Sequence, residues 1–240
     1  MPVNSCVAII PARGGSKRIE KKNIINFCGK PMIAWTIEAA QKSNMFVRIV
    51  VSTDDPEIAE VAKQFGASVP FLRKNYSDDI SPVSLATVGT LFQLRDELGE
   101  EYETVVQLMA NCPLRNEHHI VDALDNFKAH DASSQISCFK FGWMNPWWAA
   151  TVSEGWRPNN LFPEAVDARS QDLPSLYCPS GAIWVAKVPQ LIKHQTYYTH
   201  KHIFWPMSWE TAIDIDDEDD LRMAEFLYVM KTHAFKDFIS

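Results

Sequence analysis

Short apolar runs alternate with longer amphipathic stretches through the first half of the chain. Residues 6–10, 48–52 and 104–109 are short and rich in β-branched side chains, which predicts buried parallel strands. Residues 31–40 and 56–65 carry apolar side chains at helical spacing, and each stretch begins with a proline suited to a helix start. The pattern therefore predicts strands and helices in alternation.

The alternation continues toward the end of the chain. Further helices are predicted from Val83 to about Leu98, at residues 117–128 and at 218–231, and further strands at 182–185 and 212–215. Strand–helix alternation of this kind predicts an α/β fold with a mostly parallel sheet and helices on both faces. Asp55 is predicted to cap the helix that starts at Pro56.

The rhythm breaks in one segment, from residue 141 to residue 181. This segment is rich in proline, tryptophan and polar residues and has few helical patterns. We interpret residues 1–240 as one domain and residues 141–181, called the lobe below, as an insertion of short strands and loops. Trp143, Trp147, Trp148 and Trp156 could stack on a sugar, but such residues more often anchor a core or an interface.

Composition and charge narrow the class of protein. The formal net charge of −7 argues against general nucleic-acid binding, which needs a basic face. No apolar stretch approaches the roughly 18 residues of a membrane span, and residues 1–5 lack the basic start of a signal peptide. The five cysteines stand singly, which favours free thiols and a cytoplasmic location.

Positive charge is concentrated in one loop after the first predicted strand. Residues 11–18 read Pro-Ala-Arg-Gly-Gly-Ser-Lys-Arg, and Lys22 and Asn23 follow. Glycines let backbone N–H groups approach a ligand, and Arg and Lys pair with phosphate oxygens, so the loop predicts a triphosphate cradle. The alternative is a solvated basic turn. Both the Walker A spacing and the Gly-x-Gly-x-x-Gly fingerprint are missing, which disfavours a Rossmann-type oxidoreductase.

Negative charge is concentrated near the other end of the chain. In an extended segment Asp214 and Asp216 point to the same face, where they repel each other unless a cation lies between them. Mg²⁺ suits such a pair, because it binds one or two carboxylates together with phosphate oxygens and water. The acids at 217–220 are predicted to cap the terminal helix instead.

Several motifs together resemble one enzyme family. The run at residues 9–19 with Lys22-Asn23-Ile24 and Gly29-Lys30-Pro31-Met32 resembles the opening of acylneuraminate cytidylyltransferases, the CMP-sialic acid synthetases and their legionaminic and pseudaminic relatives. Ser52-Thr53-Asp54, Cys112-Pro113-Leu114-Arg115 and the Arg-Ser-Gln-Asp-Leu-Pro at 169–174 extend the likeness along nearly the whole chain.

The resemblance implies a Rossmann-like nucleotidyltransferase fold, a homodimer formed through the lobe, and transfer of CMP from CTP to an acidic nine-carbon sugar with Mg²⁺ as cofactor. It also implies roles for individual residues. The triphosphate would be held by Arg13, Lys17 and Lys22; the nucleotide by Ala12, Arg13, Gly14, Ser16, Asn23, Arg73 and Ser84; the sugar by Met109, Arg169, Gln171 and Tyr177; and the metal by Asp214 and Asp216.

Two departures from the family pattern lie on the sugar side. Met109 stands where the family usually has a glutamine, and Pro179-Ser180-Gly181 replaces Pro-Asn-Gly. These departures weaken the case for N-acetylneuraminate itself and suit a less polar sugar substituent. The alternatives are a cytidylyltransferase for the eight-carbon acid of lipopolysaccharide and a non-catalytic nucleotide-binding module. Arg169 could also form only a surface ion pair.

Overall fold

The computed structural model describes residues 5–78 and 80–232 of the chain. Residues 1–4, which the sequence analysis used to argue against a signal peptide, lie outside the described residues. Within the described ranges, every helix is too short or too polar to cross a lipid bilayer.

Ten strands and six α-helices make up the described part of the chain. The strands are β1 (Cys6–Pro11), β2 (Asn26–Phe27), β3 (Lys30–Pro31), β4 (Arg48–Ser52), β5 (Thr104–Gln107), β6 (Ser134–Lys140), β7 (Ala150–Val152), β8 (Pro158–Asn160), β9 (Tyr177–Lys187) and β10 (His202–Met207). The helices are α1 (Met32–Ser43), α2 (Pro56–Gln64), α3 (Val83–Leu98), α4 (Glu117–Ala129), α5 (Val188–His194) and α6 (Glu218–Thr232).

The main sheet has the strand order β10-β6-β9-β5-β1-β4. Strand β1 pairs in parallel with β4 and β5, and β6 pairs in parallel with β10. Strand β9 runs antiparallel to both of its neighbours, β5 and β6. The prediction of a mostly parallel sheet is confirmed, and the carboxyl ends of β1, β4 and β5 meet at one edge.

Alternating side chains of β1 divide the core between the two faces of the sheet. Ala8 and Ile10 pack with α1, α2 and α4, whereas Val7 and Ile9 pack with α3 and α5. All four side chains are fully buried. Successive strand residues point to opposite faces, so a run that is apolar at every position is covered by helices on both sides, as predicted.

A smaller apolar cluster ties the two ends of the chain together. Phe27 and Trp35, near the start of the chain, contact Tyr228 of α6 with edge-on ring geometry. Buried Ile215 belongs to the same cluster. Burial of these rings fixes α6, and with it the acidic segment before α6, beside the basic loop.

Most predicted helices and strands are present with boundaries within a few residues, but one strand was predicted wrongly. Residues 212–215 belong to no strand, and Ala212 lies in a bend. Ala212 N–H donates to Ser208 O at 3.1 Å and to Trp209 O at 3.2 Å. Ile215 N–H donates to Asn111 O at 2.9 Å, and the Asn111 side chain donates to Ile215 O at 3.0 Å. A turn at one end and a single loop residue at the other supply these partners, so a strand ladder does not form.

Other elements carried no clear sequence signal. Strands β6 and β10 and helix α5 were not predicted, and β9 begins at Tyr177, five residues before the predicted strand. In the lobe, β7 and β8 pair as a small antiparallel hairpin among single turns of 3-10 helix. The last residues of the lobe, from 177 to 181, form the start of β9.

Candidate functional site

A cavity of about 550 Å³ lies beyond the carboxyl ends of the central strands. Ligands bind at this edge of open α/β sheets. The basic loop, the acidic segment and Met109 of the loop after β5 contribute to the same wall. The predicted site residues that line the cavity are Arg13, Ser16, Lys17, Lys22, Asn23, Arg73, Met109, Asp214 and Asp216.

The basic and acidic motifs, about 190 residues apart in the chain, are in direct contact in the cavity. Lys22 Nζ lies 2.9 Å from one carboxylate oxygen of Asp216 and donates to Ile215 O at 2.8 Å. A terminal nitrogen of Arg18 lies 2.8 Å from the other carboxylate oxygen of Asp216. Charge-assisted contacts of this kind hold the loop against the acidic segment.

Asp214 and Asp216 have different electrostatic environments. The side chain of Asp214 is open to the cavity, but the protein around it partly desolvates the carboxylate, and this effect, with the neighbouring charge of Asp216, raises its pKa. Partial burial also acts on Asp216, but the hydrogen bonds and charges of Lys22 and Arg18 outweigh it and lower its pKa. A cation between the two carboxylates would relieve the repulsion that Asp214 experiences.

Residues of the loop after β5 hold the Asp214 side chain. The amide of Asn111 donates to one Asp214 oxygen, and the Cys112 thiol lies 3.7 Å from the same oxygen. Burial, together with the charge of Asp214, raises the pKa of Cys112, so this thiol stays protonated and is a poor nucleophile. The backbone N–H of Gly181 also hydrogen-bonds to the Asp214 carboxylate, whose Oδ2 lies close to Gly181, so residues of the loop after β5 and of β9 hold this side chain.

Arg115 supports this loop from inside the protein. One guanidinium nitrogen donates to Ala182 O at 2.7 Å and to Met109 O at 3.3 Å. The side chain is fully buried, and desolvation lowers its pKa to about 10, so it remains charged at neutral pH. Arg115 thereby links the loop after β5 to β9.

The backbone of the basic loop is held by side-chain contacts. Asn23 donates to Arg13 O at 2.9 Å, and Gly14 N–H donates to a carboxylate oxygen of Asp54 at 3.1 Å. A guanidinium nitrogen of Arg13 donates to Asp78 O at 2.7 Å. The basic loop is therefore bound to the segment that precedes α3.

Arg73 is a buried cation beside the cavity. Its guanidinium donates to Ser52 O at 3.1 Å and lies 4.0 Å from Asp54. Desolvation lowers the pKa of Arg73, and the charge of Asp54 partly opposes this effect. A buried charge with a fixed hydrogen bond is suited to positioning the loops around a ligand.

Gly181 and Met109 form a close contact beside Asp214. A Cβ atom added at Gly181 would lie 2.8 Å from Met109 Cγ and 3.1 Å from Asp214 Oδ2. Such distances leave no room for a side chain at position 181. Because Met109 lines the cavity, an apolar side chain adjoins the carboxylate at this point.

Several predicted residues do not line the cavity. Ala12 is buried, Gly14 contributes through its backbone N–H, and the Ser84 hydroxyl donates to Gln195 O at 2.9 Å. The lobe residues Arg169, Gln171 and Tyr177 are exposed, and they are not among the lining residues.

Arg169 pairs locally within the lobe. Its Nε lies 2.7 Å from Asp172, and both side chains are largely exposed. This is the surface ion pair that the sequence left open as an alternative. Exposed ion pairs of this kind are weak, so little energy is needed to separate Arg169 from Asp172.

Sequence reasoning missed other residues that line the cavity. Arg18 belongs to the basic loop, and its charge was a usable signal, whereas Asn111 and Tyr76 had none that distinguished them from other polar or aromatic residues. The lining residues outside the prediction include Arg18, Tyr76, Asp78, Ser81, Val83, Ala86 and Asn111.

The donor set constrains the metal. Among residues 5–78 and 80–232, histidine, cysteine and carboxylate side chains form no cluster of three or more suited to a metal ion. Two carboxylates in a phosphate-sized cavity fit Mg²⁺, which takes its remaining ligands from phosphate and water. They do not fit a structural zinc site, which needs four protein ligands.

Comparison with known proteins places this cavity in a family context. The family model described as "Cytidylyltransferase" matches residues 7–170. Pseudaminic acid cytidylyltransferase of Campylobacter jejuni is 35% identical over 224 residues, which cover 92% of this chain and 95% of that protein. CMP-N,N'-diacetyllegionaminic acid synthase of Legionella pneumophila is 34% identical over 238 residues, which cover 95% of this chain and 98% of that protein.

A solved structure supports the fold. The structure of CMP:2-keto-3-deoxy-manno-octonic acid synthetase complexed with CTP superposes with a TM-score of 0.70 and covers 95% of this chain and 100% of that one. The sequence identity is 15%, so the likeness concerns the architecture alone.

Proposed function

The chain belongs to the cytidylyltransferase family, and from this premise we propose that it transfers CMP from CTP to the anomeric hydroxyl of a nonulosonic, sialic-acid-like sugar. The observation that carries the proposal is the single cavity in which the basic loop and the carboxylate pair meet. In the reaction a bond forms between the anomeric oxygen and the α-phosphorus. The bond from that phosphorus to the bridging oxygen breaks, and pyrophosphate leaves.

The basic loop supplies charge for the triphosphate. We assign Arg13, Lys17 and Lys22 to the phosphate oxygens and to the negative charge that grows on the departing pyrophosphate. Catalysis of phosphoryl-type transfer depends mainly on positioning and charge neutralisation. Lys22 already contacts Asp216 at 2.9 Å, which places this cation beside the carboxylate pair.

Asp214 and Asp216 are the proposed holders of Mg²⁺. Both line the cavity, and the charge of Asp216 contributes to the raised pKa of Asp214. When bound, Mg²⁺ neutralises phosphate charge and lowers the pKa of the attacking hydroxyl. Asn111 and Cys112 hold one oxygen of Asp214 and so orient this carboxylate toward the cavity.

The remaining nucleotide contacts are assigned to neutral and buried groups. Ser16 and Asn23 line the cavity and offer hydrogen bonds to the nucleoside. Arg73 lines the same cavity from a buried position, and Ala12, Gly14 and Ser84 act from behind it by shaping the loops.

Met109 is the proposed contact with the acceptor sugar. It lines the cavity next to Asp214 and leaves an apolar surface there. An apolar group near the reacting atoms favours a sugar with a deoxygenated carbon or a methyl group at the facing position. Arg169, Gln171 and Tyr177 of the lobe are proposed to contact the sugar carboxylate and hydroxyls when the sugar is bound.

The lobe is also the proposed dimer interface. Trp143 and Trp156 are 87% and 88% exposed, and Met144 beside them is 67% exposed. Large apolar patches of this kind mark interaction surfaces. Sedimentation should give about twice the chain mass of 27.3 kDa. A cytoplasmic location completes the proposal, because the five cysteines are free thiols.

A panel assay tests the function. Pyrophosphate release is measured with CTP, Mg²⁺ and, in separate reactions, N-acetylneuraminic, legionaminic, pseudaminic and the eight-carbon acid. We expect release with at least one nine-carbon acid and none without an acceptor. Release only with the eight-carbon acid would replace the substrate class, and no release with any acid would favour a nucleotide-binding module.

A further inference from the structure

Tyr76 is an aromatic residue of the cavity wall that the sequence did not single out. Its ring lines the cavity, and its side chain is 38% exposed. It lies in the segment between Arg73 and α3, apart from the basic loop and from the carboxylate pair. Neither the triphosphate nor the metal, as assigned above, accounts for an aromatic ring at this place.

The backbone of Tyr76 is held in a conformation that tyrosine rarely adopts. Its φ angle is 59°, in the left-handed region. For a bulky residue this conformation is an outlier that persists only where the surroundings enforce it. Residues held in this way cluster at ligand-binding sites.

The surroundings of Tyr76 explain how the conformation is maintained. On one side its ring packs against α3 at Gly89, where an added Cβ would lie only 3.2 Å from a ring carbon. Just after it, Asp78 accepts hydrogen bonds from Ile80 N–H at 2.8 Å and Ser81 N–H at 2.7 Å, which form a tight turn. Arg13 donates to Asp78 O at 2.7 Å.

The cavity has two chemically different walls, one beside the basic loop and the carboxylate pair and the other beside Tyr76. Lys22, Arg18 and the carboxylates provide charge for the polyphosphate and metal. The wall at Tyr76 adds Asp78, Ser81, Val83 and Ala86; the Ser81 hydroxyl donates to Asp78 at 2.7 Å, and Val83 and Ala86 supply apolar surface. A planar, uncharged nucleobase fits the second environment, because it combines a π-face with a few hydrogen-bonding edges.

We propose that Tyr76 is a nucleotide-binding residue whose ring contacts the planar base of the nucleotide, with Gly89 as the gap that seats the ring. This inference rests on the proposed use of CTP. It adds a base-contacting residue to those assigned above and assigns a function to the left-handed backbone at residue 76.

Calorimetric titration with two ligands tests the proposal. CTP and inorganic triphosphate, each with Mg²⁺, are titrated into the wild type, Tyr76→Ala and Tyr76→Phe. Base–aromatic stacking predicts that Tyr76→Ala weakens CTP binding about 5- to 100-fold, while inorganic triphosphate, which lacks a base, binds as before. Tyr76→Phe keeps the ring and should bind CTP nearly as the wild type does.

Two further variants control for the fold. Leu72→Ala removes an exposed apolar side chain of the same segment that does not line the cavity, and it should leave both affinities unchanged. Gly89→Ala raises helix propensity but places a methyl group against the Tyr76 ring, so it should weaken CTP binding more than triphosphate binding. It replaces Tyr76→Ala as the decisive variant if the latter does not fold.

The outcomes separate this inference from the function on which it rests. Wild-type affinity for CTP in Tyr76→Ala, or an equal loss for both ligands, rejects the base contact while leaving the enzyme proposal intact. A wild-type protein that neither binds CTP nor releases pyrophosphate rejects the proposed function, and the inference with it.

Discussion

The cavity and the lobe differ in how their residues are held. In the cavity, side chains from both ends of the chain contact each other directly, as Lys22 and Asp216 do at 2.9 Å. In the lobe, the contacts of functional interest are local, as between Arg169 and Asp172, three residues apart. The cavity residues are therefore positioned by contacts between distant segments of the chain, whereas Arg169 pairs within its own short segment.

The contrast shows which residue roles can be inferred from contacts within a single chain. Hydrogen bonds from Asn111 and Gly181 hold the Asp214 carboxylate beside the cavity, so the role proposed for it rests on geometry within one chain. Trp143 and Trp156 are 87% and 88% exposed, so the role proposed for them depends on what covers them.

The largest effect is expected at the carboxylate pair. Asp216→Asn keeps the shape of the side chain but removes its charge, and with it the proposed metal site and the ion pairs to Lys22 and Arg18. Loss of metal-assisted catalysis is expected to lower kcat about 10³-fold or more. Pyrophosphate release at saturating Mg²⁺ measures this.

Asp219→Asn is the matched control for that prediction. Asp219 lies in the same acidic run but is exposed and pairs with Arg222 on α6. Activity close to that of the wild type is expected. Equal losses in the two variants would mean that the acidic run acts through α6 rather than through a metal site in the cavity.

The next effect concerns the exposed tryptophans of the lobe. Trp143→Ser with Trp156→Ser removes two large apolar side chains from the proposed dimer interface, where buried aromatic anchors dominate binding energy. The dissociation constant of the dimer is expected to rise about 100-fold or more. Sedimentation velocity over a concentration series measures it, with Trp209→Ser, a half-exposed tryptophan outside the lobe, as the control.

A single-species wild type at the monomer mass would contradict the dimer proposal. A dimer that persists in the double variant would place the interface elsewhere on the chain. In either case the exposed tryptophans would become candidates for a sugar platform.

A smaller effect is expected for Arg169→Ala. If Arg169 contacts the sugar carboxylate, loss of this charged pair is expected to raise the KM for the sugar about tenfold, with the KM for CTP unchanged. Lys201→Ala, which removes another exposed cation paired with an aspartate, is the control. No change in either KM would leave Arg169 with its surface ion pair alone.

The smallest effect lies outside both regions, at the start of α4. Asn116 N–H donates to His119 Nδ1 at 3.1 Å, while His119 N–H donates back to the Asn116 side chain. The first bond needs a neutral ring, and burial, with the nearby charges of Lys231 and Arg115, lowers the pKa of His119. This contribution to stability is present above the unfolded pKa of about 6.5 and is lost as pH falls through the folded pKa.

Urea unfolding across this pH range measures the cap. The wild type should lose of the order of 1 kcal/mol or less from this group as the pH falls. His119→Gln should flatten this part of the profile, and His118→Gln, at an exposed neighbour, should not. A profile unchanged in His119→Gln would show that the cap does not depend on the ring.

Predictability from sequence followed the strength of local patterns. The β-branched runs predicted β1 and β4, and the Asp55–Pro56 pair predicted the start of α2, because strand burial and helix capping are decided within a few residues. Strand β6 was missed because its residues are a mixture of polar and apolar types, and β10 was missed because it contains Pro206, which disfavours a strand. At 212–215 an apolar alternation suggested a strand, but the backbone partners there are a turn at Ser208 and Trp209 and the loop residue Asn111 rather than a neighbouring strand.

The sequence predicted the chemistry of the site's two motifs but not the contacts between them. Phosphate affinity in the basic loop and cation affinity at Asp214 and Asp216 follow from residue chemistry, which a sequence records directly. The proposed base contact of Tyr76 could not be found in this way, because it depends on a left-handed backbone and on the absence of a side chain at Gly89.

By itself, the sequence determined the helix and strand periods, the charges and the chemical types of the two motifs, all of which depend on residues close together in the chain. Only the tertiary structure decided that Lys22 would contact Asp216, that Asp214 and Asp216 would differ in pKa, and that Arg169 would lie outside the cavity. The reason is physical: distances, desolvation and charge pairing depend on which distant segments the buried core brings together.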